Sequence, residues 1–262
     1  MGYLNSKKDS KLNTRMIRNT KKAINSKTLQ MLTCYDYQTA QMLNETSIDL
    51  ILVGDSVGNV VLGYETTIPV DISTMTLFSS AVKRGAPNKF VIADLPFGSY
   101  ASMEIGLKNS IELFQKSGVE ALKLEGAFPF QLELIERLTQ IGIPVMGHIG
   151  LTPQSVHEQG GYYTHGKDEH SQAKLLKEAK ALEDAGCFCL VLECVEESQA
   201  EKITKELKIP TIGIGSGRNT DGQVLVINDL LHMGKNEPPK FCKPVFNLFE
   251  KKKELIEQYL KQ

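Results

Sequence analysis

Short apolar runs alternate with longer amphipathic segments along most of the chain. The runs are LQMLTCYD (Leu29–Asp36), LILVGDS (Leu50–Ser56), KFVIADLP (Lys89–Pro96), EALKLEG (Glu120–Gly126), IPVMGHIG (Ile143–Gly150), CFCLVLEC (Cys187–Cys194) and IPTIGIGSG (Ile209–Gly217), with VLVIND (Val224–Asp229) a weaker eighth. Such continuous Val, Ile and Leu runs suit strands buried on both faces, as in a parallel sheet. Between them, MEIGLKNSIELFQKSG (Met103–Gly118) sets Ile105, Leu107, Ile111, Leu113 and Phe114 at helical spacing and closes on a glycine. FQLELIERLTQIG (Phe130–Gly142) and SQAKLLKEAKALEDAG (Ser171–Gly186) close the same way. Strand and helix alternate with a period of about 30 residues, the rhythm of the βαβ unit. Seven or eight such units fit a closed (β/α)8 TIM barrel better than an open sheet.

The domain plan follows. Residues 28–262 predict one barrel domain ending in a helix over Val245–Gln262. Residues 1–27 are rich in Lys, Arg, Asn, Ser and Thr and read as a frayed lead-in, with a short helix around Leu12–Ala23. Two long connections follow strands, Gly58–Asp71 and Gly150–Glu169, which is where a barrel keeps its function. At 262 residues, 41% hydrophobic and 23% charged, composition is that of an ordinary globular protein. Thirty basic against 31 acidic residues leave no surplus to attract nucleic acid or an anionic membrane. No run approaches the roughly 18 apolar residues of a membrane span, and no secretory leader is predicted. MGYLNS fits a myristoylation pattern in form only. Five cysteines, Cys34, Cys187, Cys189, Cys194 and Cys242, predict free thiols in the cytoplasm and not a disulfide framework or a zinc site.

The predicted strands end in polar residues: Asp55, Asp94, Lys123 with Glu125, His148 and Glu193. In a barrel these ends converge on one mouth. Carboxylates gathered there repel one another and call for a cation. Oxygen donors without cysteine suggest Mg2+ or Mn2+, a Lewis acid for a carbonyl oxygen. Taken singly, Asp55 or Asp94 is as readily a helix N-cap. His148 is equally readable as a satisfied structural histidine. Glu193 follows CFCLVL, so apolar surroundings are expected to raise its pKa and suit it to proton abstraction. IGIGSG (Ile212–Gly217) either cradles a phosphate or only permits close backbone approach.

An ordered set of motifs adds to this: TCYDYQTA (Thr33–Ala40), LVGDSVG (Leu52–Gly58), VKRGAP (Val82–Pro87), ADLPFGSY (Ala93–Tyr100), KLEG (Lys123–Gly126), GHIGLTPQ (Gly147–Gln154), LVLECV (Leu190–Val195) and IGIGSGRNTDGQVLV (Ile212–Val226). Together they resemble the ketopantoate (3-methyl-2-oxobutanoate) hydroxymethyltransferase family over about Leu29 to Lys243. The resemblance implies a barrel like those of phosphoenolpyruvate mutase and isocitrate lyase. It implies transfer of a hydroxymethyl group from 5,10-methylenetetrahydrofolate to a small 2-oxo acid, 3-methyl-2-oxobutanoate, in pantothenate synthesis. It places Mg2+ on Asp55 and Asp94 with Glu125 as a third metal position, the oxo acid near Asp55, Ser56, Asp94, Lys123 and His148, and the base at Glu193. It also implies a homo-oligomer, often a decamer. The loop YTHGKDEH (Tyr163–His170) is less basic than is usual in the family, and Cys242 stands where an aliphatic residue is usual. Two other readings stay open: carbon–carbon cleavage by a lyase of the same barrel group, which commonly uses a loop cysteine, and a metabolite-binding barrel without catalysis.

Overall fold

The apolar runs become eight parallel strands in a computed structural model that describes residues 11–21 and 28–262. They are β1 (Leu29–Thr33), β2 (Leu50–Val53), β3 (Phe90–Asp94), β4 (Ala121–Glu125), β5 (Val145–Gly150), β6 (Cys189–Glu193), β7 (Thr211–Ile214) and β8 (Gly222–Leu225). Each pairs with its neighbours in sequence, and β8 returns to β1, closing the barrel.

Alternation along each strand sorts the side chains into two cores. Ile51, Val53, Val91, Ala93, Leu122, Leu124, Leu190 and Leu192 face outward, packed with Leu113, Leu134, Leu182 and Ile203 of the surrounding helices. Leu29, Met31, Leu50, Leu52, Phe90, Ile92, Ala121, Met146, Cys189, Val191, Ile212 and Val224 fill the barrel itself. Counting onward by two from this inner set reaches Asp94, Lys123, Glu125, His148 and Glu193. The polar strand ends are therefore the top layer of the barrel interior.

The eighth strand lies earlier than its apolar letters suggest. It starts at Gly222, opposite Leu29 and Ile212, and Ile227–Leu230 forms a helical turn instead. A Cβ at Gly222 would stand 2.4 Å from Ile212 Cδ1 and 2.8 Å from Leu29 O. Close approach, which hydrophobicity does not encode, sets the strand's position.

The lead-in is also more ordered than its composition suggests, as far as it is described. Thr14–Thr20 form a helix capped by Asn13, whose side chain accepts from Met16 N. Ile17 is fully buried and joins the barrel's inner core, closing its lower end. Arg18 donates to Gly186 O, and Lys21 pairs with Asp221 at 2.8 Å. Lys11 and Lys83 both pair with Glu120, which also accepts from Val91 N. The myristoylation pattern and the predicted helical positions after Lys21 lie outside the described residues. At the other end, the predicted terminal helix spans Leu248–Leu260. No helix among the described residues is long and apolar enough to cross a membrane.

Burying one isoleucine contributes about 1.5–3 kcal/mol, and truncation adds the cost of the cavity. Ile17→Ala is expected to cost about 2–5 kcal/mol in urea unfolding. A loss within about 0.5 kcal/mol, typical of a surface change, would show that this helix does not seal the barrel.

Candidate active site at the barrel mouth

Asp55, Asp94, Lys123, Glu125 and His148 are each less than 5% exposed and lie together. Lys123 Nζ is 3.0 Å from Asp94 Oδ1, 3.9 Å from Glu125 Oε1 and 3.2 Å from His148 Nδ1. Asp94 Oδ2 accepts from Asp55 N at 3.0 Å, which ties the ends of β2 and β3. Neither aspartate is a helix N-cap; Asp36, Asp71 and Asp168 do that work elsewhere. Ser56 is partly buried beside Asp55, its hydroxyl 2.7 Å from Tyr35 Oη.

Charge decides the character of this cluster. Burial and the neighbouring Glu125 and Asp94 push the Asp55 carboxyl up to about 8. Burial likewise raises Asp94, against the pull of Lys123. Glu125 goes the other way: burial opposes its charge, but hydrogen bonding and attraction to His148, together with Lys123, hold it below its usual range. Burial opposes the Lys123 charge too, yet Asp94, Glu125 and Asp55 outweigh it and keep the ammonium firmly protonated. His148 faces burial and the Lys123 charge, both of which favour its neutral form. Its contacts with Glu125 and Glu193 prevail and raise it to about 9.

The imidazole bridges two carboxylates, Glu125 Oε1 at 3.4 Å from Nδ1 and Glu193 Oε2 at 3.2 Å from Nε2. The short contact from Lys123 to Nδ1 suits a neutral ring, the contact to Glu125 a charged one. The two acidic partners favour the charged ring. Glu193 is less enclosed than its sequence setting predicts, with its side chain 18% exposed. Alternation explains this: Leu190 and Leu192 of the same strand point away to the helices, so the carboxylate meets His148 and the mouth.

The donor set fits a hard divalent cation. Asp94 Oδ1 and Glu125 Oε1 are buried without a hydrogen bond, although Lys123 stands within ion-pair reach. Three buried carboxylates surround a lysine and an imidazole, and Asp55 is destabilised in its charged form. Among the described residues, no three His, Cys, Asp or Glu side chains are gathered closely enough to hold a metal by themselves. Mg2+ commonly takes one or two protein carboxylates and keeps water or substrate elsewhere. Asp55 and Asp94 could serve such an ion, while Glu125 is engaged by His148 and by Gln154 N.

Three residues in this cluster went unremarked in the sequence because they lie on loops, where no period marks them. Tyr35 orients Ser56. Gln154 donates to Asp55 Oδ2 and to Glu125 Oε2, and Tyr100 donates to Gln154 Oε1. Beside Gln154 a cavity of about 770 Å3 opens between the loops after β3, β4 and β5, its wall including Phe97, Phe128, Phe130 and Tyr163. It reaches the charged cluster through Glu125 and Gln154 only, and lies beside the cluster, not over it. The glycine run after β7 serves close approach: Arg218 N donates to Glu197 Oε1, whose side chain crowds Gly217. All five cysteines are free thiols. Burial pushes Cys34 and Cys187 up to about 12 and Cys194 to about 11, which leaves them poor nucleophiles.

A parallel barrel with acids, a lysine and a histidine at the carboxyl ends of its strands is the arrangement of a barrel enzyme. Solved structures of this fold include phosphoenolpyruvate phosphomutase from Streptomyces platensis subsp. rosaceus, with TM-score 0.66 at 12% identity over 95% of this chain and 88% of that one. A 2,3-dimethylmalate lyase of the PEP mutase/isocitrate lyase superfamily gives TM-score 0.62 at 15% identity over 95% and 88%. At such identities the likeness concerns the fold. Sequence carries it further. The family profile described as Ketopantoate hydroxymethyltransferase matches residues 11–262. Proteins named 3-methyl-2-oxobutanoate hydroxymethyltransferase are 50% identical in Thermosipho africanus (strain TCF52B), over 90% of this chain and 88% of that one. In Syntrophus aciditrophicus (strain SB) the figure is 45%, over 97% and 93%. The chain belongs to the ketopantoate hydroxymethyltransferase family, and is an enzyme of that family.

Lys123→Met would leave the buried carboxylates without their lysine, a change expected to cost about 3–5 kcal/mol. Asp55 and Asp94 already have raised folded pKa values. Removing the ammonium raises these carboxyls further, so the damage should be slight at low pH, set in first through Glu125, and still be growing above about pH 8, where Asp55 ionises. Urea unfolding of the metal-free variant across that range checks the sign. A loss independent of pH would mean that packing, not charge, explains the lysine.

Proposed function

We propose that this enzyme transfers a hydroxymethyl group from 5,10-methylenetetrahydrofolate to 3-methyl-2-oxobutanoate, giving 2-dehydropantoate, with Mg2+ held by Asp55 and Asp94. The carrying observation is the surplus of buried carboxylates at the barrel mouth, with Glu193 beside His148 at its edge. The substrate is a small anion with a weakly acidic C–H next to a ketone. Bound Mg2+ would supply the Lewis acidity that draws electron density from the oxo acid. Glu193 is the base that takes the C3 proton, within reach of the His148 imidazole. Lys123 balances the negative charge that develops on the oxygen. Ser56, held by Tyr35, supplies a hydroxyl for the oxo acid. Water adds to the one-carbon unit of the folate, its C–N bonds break to release tetrahydrofolate and formaldehyde, and the enolate carbon attacks that carbonyl, whose oxygen takes a proton to leave the hydroxymethyl group.

The cavity beside Gln154 has the size and aromatic wall for a flat heteroaromatic donor. The high thiol pKa values weigh against the cysteine-dependent lyase reading, and a base next to a charged imidazole weighs against a binding barrel. The helix Leu248–Leu260 buries no residue and exposes Leu255, Ile256, Tyr259 and Leu260, which supports self-association.

Incubation with Mg2+ and 3-methyl-2-oxobutanoate in deuterated water, with a tetrahydrofolate analogue, should exchange the C3 proton as followed by NMR. Glu193→Gln is expected to slow that exchange by about 10²–10⁴-fold, and undiminished exchange would remove Glu193 as the base. Asp94→Asn should weaken Mg2+ binding strongly by calorimetry. An unchanged affinity would take Asp94 out of the metal shell.

Proton competition at Asp55 gives a pH dependence with a definite sign. Its carboxyl is neutral below about 8, and a metal needs it ionised. Mg2+ affinity should therefore rise with pH up to about 8, with proton uptake by the buffer visible when titrations are repeated in buffers of different ionisation enthalpy. Affinity flat between about pH 6 and about pH 8 would contradict the assignment.

A further inference from the structure

Gln154 reaches into the acid cluster from the loop after β5. It is 5% exposed, and its backbone N–H and both ends of its amide are engaged. The backbone N–H donates to Glu125 Oε2 at 3.1 Å. Nε2 donates to Asp55 Oδ2 and to Leu95 O, both at 2.9 Å. Oε1 accepts from Tyr100 Oη at 2.6 Å. The Leu95 carbonyl can only accept, which settles the amide orientation and turns the NH2 group toward it and Asp55, leaving Oε1 to accept from the tyrosine hydroxyl.

The loop that carries Gln154 is tied down at its start. Leu151 N donates to Glu193 O at 2.8 Å. Gly150 has φ +94, and a Cβ there would stand 2.3 Å from the same carbonyl. At the far end Gly160 and Gly161 also have positive φ, +76 and +125. Between these ends lie the turn Pro153–Ser155 and the short helix Val156–Gln159. Bounded by conformationally permissive residues, the segment also buries Leu151, Thr152 and Val156, and Gln154 is the side chain through which it reaches the acid cluster, so it can dock and undock as a unit.

Asp55 carries the consequence. Its charged form is opposed by burial, Glu125 and Asp94, while the Gln154 N–H supports it. The same bond stops the carboxylate from rotating. A cation arriving at Asp55 therefore meets a ligand already oriented when the loop is docked, and one free to rotate when it is not.

We propose that Gln154 is a positioning residue that latches the loop Leu151–Gly161 onto Asp55 and Glu125, so that docking of this loop and binding of Mg2+ reinforce each other. The proposal rests on the metal reading above. The coupling is reciprocal: whatever the docked loop adds to metal affinity, the metal adds to loop docking.

The test uses the whole metal-free protein, with Mg2+ as the probe and no turnover. Calorimetry of Gln154→Leu should show Mg2+ binding weakened roughly 10–100-fold. Tyr100→Phe removes one of the three groups that hold the amide and should give a smaller loss in the same direction. A glutamate-specific protease, followed by mass spectrometry at the exposed Glu158, reads the loop. Mg2+ should slow that cut in the unaltered protein and fail to slow it in Gln154→Leu. A Gln154→Leu protein that melts earlier but binds Mg2+ as before, with the same protection of Glu158, would make Gln154 merely structural and overturn the latch. If that variant does not fold, Tyr100→Phe with unchanged affinity and unchanged protection overturns it equally. Failure of the underlying metal reading is seen separately, as an absence of Mg2+ binding by the unaltered protein, and takes the latch with it.

Discussion

Like charges crowded inside a closed barrel are the constraint on which this molecule turns. Asp55, Asp94 and Glu125 sit within a few per cent of complete burial, and water cannot screen them. Lys123 and His148 answer part of that charge, and the remainder appears as a raised Asp55 and as carboxylate oxygens lacking hydrogen bonds. Carboxylates free to move would part. They stay because Asp94 and Glu125 end β3 and β4, each pinned on both sides by its neighbours, and Asp55, just beyond β2, is tied to Asp94 through its backbone N–H. Rigidity of the sheet holds an electrostatic demand that the side chains of the cluster leave partly unmet.

Stability and chemistry are separated along the barrel axis. The lower interior is apolar, built from Met31, Leu50, Phe90 and Phe188, and Ile17 closes it. The upper layer is almost wholly polar. Nothing in the lower layers requires the charged mouth, which is why barrels that share only 12–15% of their residues with this chain keep its shape. Membership in the family rests on likeness along nearly the whole chain, lower layers included.

The loops supply what strands cannot. Strand ends place side chains in a ring but do not decide how a carboxylate is rotated or how far water enters. Gln154, Tyr100 and Tyr35 make those adjustments, each by a hydrogen bond to a group on another element. The barrel gives each charged group its position, and the loops give it an orientation.

Much of this was legible in the chain itself. Apolar runs at regular spacing sufficed for a closed parallel barrel, because strands buried on both faces must be apolar throughout. Asp55, Asp94, Lys123, Glu125, His148 and Glu193 stood out because each interrupts such a run at its end, and a closed barrel brings all such ends together. The start of β8 did not stand out, since Gly222 is chosen for the space it leaves and not for hydrophobicity. Neither did the docking of Ile17, one apolar residue in a polar stretch. The setting of Glu193 was misjudged because its neighbours in sequence face the other way in space. Gln154, Tyr100 and Tyr35 lay in recognisable motifs, but a loop has no period from which to read direction. Local sequence determined which segments form strands and where polarity breaks them. Only the tertiary structure decided which charges oppose one another and which amide restrains them, because electrostatics and hydrogen bonding depend on distances that barrel closure creates.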